Sequence, residues 1–194
     1  MVSYRPPLAS WLLDQHGDLC RTVAQRAVAE GVEQAVTLTT PHPQEPMSAS
    51  EIASGSERGV TSPSPPNGAH DVVRLHTHPP QAQVTFSTRD IAAFAQSTLA
   101  EVPMGRLPPG PNGYAVIGWR GDDMTAGEAH LQTLEPTPAW AEHGLLGRDR
   151  LRRRVRSRAA AARTANETNP LLDLLDPYVT HERVEFHVEP PRPE

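Results

Sequence analysis

Apolar positions follow two different periods along this chain. Leu19, Val23 and Ala27 recur at intervals of four, with Ala24 and Val28 beside them, the spacing of a helix face. Asp18 stands at its start as a cap and Gly31 at its end as a stop, so a helix is expected between them. Val32 to Thr40 is β-branched and Thr-rich, suited to a pleated strand. His70 to Leu75 is a second apolar run. Ile91, Phe94, Ala95 and Leu99 return to helical spacing, which predicts a helix over residues 88–100. Gly113 to Trp119 reads as a buried strand, Gly121-Asp122-Asp123 as a turn, Ala129 to Leu134 as a strand and Arg183 to Val188 as the last strand. Residues 1–17 read as an irregular lead whose Trp11, Leu12 and Leu13 pack on the domain. The Pro/Ser/Gly-rich stretch 41–70 reads as a meander with short strands near 50–54 and 59–61. Strands and helices mixed in this order imply an α/β sheet with helices on its faces.

Residues 148–163 are patterned differently. Eight arginines fall there, threaded by Leu151, Val155, Ala159 and Ala162. This predicts an amphipathic helix docked by the apolar stripe, with a solvated arginine face. The remaining chain has ten arginines against 22 acids, so an acidic body is expected for the helix to lie against.

The chain has 194 residues and a net charge of −5, which makes no general case for nucleic-acid or membrane binding. The single Cys20 excludes an intramolecular disulfide and a cysteine-rich zinc site. No segment is long and apolar enough to span a bilayer, and the first residues lack the apolar core of a signal peptide; a cytoplasmic protein is expected. All 18 basic residues are arginine. A GC-rich genome accounts for that, as does an enzyme that acts on lysine-linked modifiers and avoids carrying one.

The chemistry concentrates in His76 to Asp90, HTHPPQAQVTFSTRD. Side chains of a strand repeat every second residue, so His76 and His78 face the same way. Ser87 followed three residues later by Asp90 reads as a helix start. A loop between the strand and that helix brings Asp90 back as a third metal ligand. Three protein ligands leave a coordination position open on zinc, the arrangement of a catalytic site.

These residues resemble the JAMM metalloproteases, the zinc peptidases that include deubiquitinating enzymes. Their motif is His-x-His-Pro, a short loop, Ser-x-x-Asp, and a glutamate upstream. Here it stands as His76-Thr77-His78-Pro79 and Ser87-x-x-Asp90, with eight loop residues, Pro79 to Phe86, against the usual seven. By element order Glu33 matches the upstream glutamate, although the Cys-Gly that commonly follows it is replaced by Ala35 and Val36. Glu30, Glu45, Glu51 and Glu57 are the other upstream acids.

The resemblance implies a JAB/MPN domain over residues 1–135, of the cytidine-deaminase-like α/β/α three-layer kind, followed by an extension over 136–194. It implies one Zn2+ on His76, His78 and Asp90, with Glu33 as general base and Ser87 as oxyanion donor. The expected activity is hydrolysis of a peptide or isopeptide bond, with a ubiquitin-like modifier or another protein as substrate. The alternatives are a non-catalytic scaffold of the same fold and a zinc hydrolase of small amides. His70 and His130 receive no role.

Overall fold

A computed structural model gives the fold and describes residues 6–41, 45–56, 59–69, 71–78, 86–107, 110–119, 127–162 and 168–189. Seven strands form one mixed open sheet: β1 (Gln34–Thr40), β2 (Ser48–Ala49), β3 (Ala53–Ser54), β4 (Asp71–Thr77), β5 (Gly113–Trp119), β6 (Gly127–Pro136) and β7 (Val179–Val188). Their order is β2-β1-β4-β5-β6-β7, with β3 also on β1. The β4–β5 pair is parallel and the other pairs are antiparallel.

Helices cover both faces. On one face α1 (Leu8–Glu30) sets Leu8, Leu12, Cys20, Val23 and Ala27 against Val36, Leu38, Val73, Leu75, Ile117 and Leu131. Burial there pushes the Cys20 thiol up to about 12, so it is packing material and not a nucleophile. On the other face α2 (Thr88–Gln96), α3 (Thr98–Glu101), α4 (Pro138–Glu142), α5 (Leu145–Ala161) and α6 (Thr168–Leu175) close a second core. Phe86, Phe94, Trp140, Val155 and Leu171 meet Tyr114, Val116 and Leu134 in it. Residues beyond 135 therefore complete the same sheet and the same core as those before. Among the described residues no helix is long and apolar enough to cross a membrane.

Several expectations need correction. Helix begins at Leu8, not Asp18, with non-helical backbone at His16. Pro7 supplies no side-chain cap; instead the Glu182 carboxylate of β7 accepts from Ala9 N–H at 2.8 Å and Ser10 Oγ at 2.9 Å. Gly31 stops the helix as expected, at φ 67°, with its N–H on Ala27 O. The helix expected over 88–100 is two, broken at Ser97, whose Oγ donates to Ala93 O at 2.7 Å. The meander is shorter than expected, with β2 and β3 plus a Ser56–Gly59 bridge. The turn at 121–123, Glu57, His70 and loop residues 79–85 lie outside the described residues.

Helix α5 is docked as the apolar stripe predicts, Val155 being fully buried with Leu151 and Ala159 beside it. Among the described residues no carboxylate from the rest of the chain meets its arginines. Among the described residues the one carboxylate paired with the helix is its own Asp149, 3.6 Å from Arg152. Arg148 is inside the fold, and its guanidinium donates to the carbonyls of Trp140, His143, Val102, Pro103 and Ala141.

Candidate metal centre

Local rules place each ligand. His76 ends strand β4, and His78 follows it with its N–H still donating to Ile117 O at 2.8 Å. The chain thus stays extended through both residues, which keeps the two imidazoles on one face. Asp90 comes from the first turn of α2, fixed by a capping box. Ser87 N–H donates to Asp90 Oδ2 at 2.6 Å and Asp90 N–H to Ser87 Oγ at 3.2 Å. Phe86 before the cap and Ile91 after Asp90 are both buried in the second core, the positions of a hydrophobic staple that fixes how the chain enters the helix.

The three side chains converge. His76 Nε2 lies 3.1 Å from Asp90 Oδ1, and His78 Nε2 lies 2.9 Å from Asp90 Oδ2. Their ligand atoms lie within 4.8 Å of one another, and all three residues are buried. Burial alone would push the Asp90 carboxyl up. The charges and hydrogen bonds of His76 and His78 outweigh it and hold the group far below the usual carboxylate range.

This group is able to hold a metal ion. Two imidazoles that turn Nε2 toward a single ionised carboxylate are a donor set suited to zinc and to other divalent transition metals. Ring nitrogens of ligand histidines not on the metal usually donate to a carboxylate or carbonyl. His76 Nδ1 is buried and makes no such bond among the described residues.

Besides Asp90, aromatic rings hold His76. Its ring makes edge contacts with His78, at 5.0 Å, and Tyr114, at 5.3 Å. Tyr114 went unnoticed in the sequence because GYAVIGW reads simply as a buried strand. The signal was the two-residue alternation of β5, which puts Tyr114 and Val116 on the histidine face. Burial first, then the Asp90 carboxylate, push its phenol above the ordinary value. Tyr114→Leu is expected to weaken metal binding ~10-fold, the lower end for a lost outer support of a ligand. Tyr114→Phe, which keeps the ring, should bind as the wild type does. Competition against a chromophoric chelator measures both, and equal affinity in the Leu variant would remove Tyr114 from the site.

Glu33 arrives from the other side. Strand β1 pairs antiparallel with β4 so that Ala35 faces His76. Opposed residues project to the same face, and the two-residue repeat then puts Glu33 on the histidine face. Its backbone is pinned by Glu33 N–H to Ser56 O at 3.2 Å and Gly55 N–H to Glu33 O at 2.8 Å. The side chain is buried. That burial raises its carboxyl above the ordinary value; His76 and His78 oppose the rise, Asp90 adds to it, and the Val60 N–H opposes it.

Of the other upstream acids, Glu30 is exposed and bound to Ser54, Gln34 and Arg26, while Glu45 and Glu51 are exposed. His130 is fully buried with Nδ1 3.6 Å from Glu185 Oε1, outside the ligand group.

No protein-family model, curated protein or solved structure matches the chain.

Proposed function

We propose that this chain is a zinc-dependent hydrolase of JAMM type that cleaves a peptide or isopeptide bond, with a protein or a ubiquitin-like modifier as substrate. The observation that carries the reading is the convergence of His76, His78 and the capping-box Asp90, with the buried Glu33 on the same face of the sheet. Helices on both sides of a mixed sheet support the JAB/MPN fold for it.

His76, His78 and Asp90 would hold the metal. When bound, zinc polarises a carbonyl and lowers the pKa of water toward ~7. Glu33 takes the proton of the attacking water and returns it to the leaving amine. A carboxyl raised by burial suits both halves of that task, because it does not bind its proton too weakly to deliver it. Ser87 Oγ already accepts from Asp90 N–H; its own O–H remains to donate to the oxyanion of the tetrahedral intermediate.

Metal analysis of purified protein is the direct test. About one equivalent of zinc per chain is expected, the stoichiometry of a single three-ligand site. The double variant His76→Ala, His78→Ala should carry almost none. Equal and low zinc in the two proteins would end the proposal.

A further inference from the structure

Helix α5 carries seven arginines and one acid over Leu145–Ala161. Its charge is +6 within a total of −5, which leaves −11 on the remaining chain. Structure accounts for two of the arginines. Arg148 is the buried carbonyl clamp described above. Arg152 reaches the end of α2, donating to Ala95 O at 2.9 Å and Gln96 O at 3.4 Å. Arg150, Arg153, Arg154, Arg156 and Arg158 are exposed, and none of these five has a carboxylate partner among the described residues.

That outer face costs the helix stability. Arg150 and Arg154, and Arg154 and Arg158, are like charges four residues apart, and each such pair is unfavourable. Helix formation needs none of them, since glutamine has similar propensity. Arg150, Arg154 and Arg158 form one row along the helix, about 12 Å long at 1.5 Å per residue. Four residues ahead of Arg150, in the same row, stands Leu146, 81% exposed, with Leu145 beside it at 60%.

We propose that this row is a docking surface for an acidic segment of a partner protein that carries an apolar side chain at one end. The guanidinium row supplies forks for carboxylates, and Leu146 supplies an apolar contact that burial would reward. Two other polyanions fit less well. A membrane-bound amphipathic helix must free its apolar face, but the Leu151, Val155 and Ala159 side of α5 is packed in the core. A nucleic acid would extend its phosphates over a body carrying −11. The inference stands apart from the metal-site reading.

The test uses the full chain and fluorescence anisotropy. The probes are a labelled Glu-rich peptide with one leucine, the same peptide with Gln for Glu, a short duplex DNA, and phosphatidylserine vesicles. The Glu-rich peptide should bind best, and added salt should weaken it. Arg150→Gln, Arg154→Gln and Arg158→Gln together should weaken it ~10-fold, as three modest ion pairs would. Leu146→Ser should cost about 10-fold as well, the scale of one buried leucine. The triple variant should melt at the same temperature as the wild type or higher, because repulsion has been removed. The His76→Ala, His78→Ala protein should bind the peptide unchanged, so loss of the metal site and loss of this surface are separable. Absent binding at low salt, equal binding of the Gln peptide, or tighter binding of DNA or vesicles overturns the proposal; these wild-type comparisons need no variant to fold.

Discussion

Glu33→Gln should keep zinc and fold while losing at least ~100-fold in turnover, the lower end of what a positioned acid–base group contributes. The reasoning is geometric. Glu33 shares a face with the histidines through the β1–β4 register, but it is not in the ligand group. Its amide replacement keeps the shape and removes the proton carrier. Asp90→Asn should differ in kind. It removes the one ligand charge while its amide oxygen can still accept from Ser87 N–H in the capping box, so zinc affinity should fall before activity is considered. The assay needs a modifier joined to a lysine side chain beside an ordinary peptide. Full activity in Glu33→Gln would refute the assignment of the base. If Glu30, Glu45, Glu51 or Glu57 then proved essential, the zinc site would survive with a different base. Loss of none of them, with no substrate cut by zinc-loaded protein, would favour a binding scaffold of the same fold.

Arg148→Met should destabilise the protein by about 1–3 kcal/mol, the range for leaving buried carbonyl acceptors without a donor. Its guanidinium joins α5 to the ends of α3 and α4. It gives bonds of 2.7–3.3 Å to five carbonyls and lies 5.0 Å from the Trp140 ring centroid. Methionine fills the volume; the carbonyls of Trp140 and Ala141 keep the backbone N–H of His143 and Gly105, while those of Val102, Pro103 and His143 lose the guanidinium. Lysine should recover only part of the loss, because one compact ammonium has three donors where the planar fork offers five. Urea unfolding followed by circular dichroism gives the numbers. A change under about 1 kcal/mol, the net worth of an ordinary hydrogen bond, would mean that water replaces the guanidinium at little cost. Neighbouring Arg150 and Arg154 look the same in the sequence and face solvent, so their replacement should leave stability almost untouched.

The sequence by itself determined the parts of this protein that obey local rules. The pairing of His76 with His78 follows from the two-residue repeat of a strand. Asp90 follows from the three-residue reach of a capping box, and Gly31 from its freedom to adopt positive φ. Short apolar runs also located β4 and β5, and helical period located the docked side of α5.

Tertiary structure decided whatever depends on residues far apart in the chain. Leu8 to Gln15 hold helix without a local cap because Glu182, from the last strand, caps them. No window around Leu8 contains that carboxylate. Glu33 was reached through a family resemblance and element order; what sets it on the histidine face is the antiparallel register of β1 on β4, and one residue of slip would turn it away. Tyr114 reaches His76 only because β5 lies parallel beside β4. Among eight arginines of one composition, the choice of Arg148 as the buried clamp was made by where the carbonyls of Val102, Pro103, Trp140, Ala141 and His143 meet. Spacing along a chain fixes which side chains share a face; only packing fixes what that face meets.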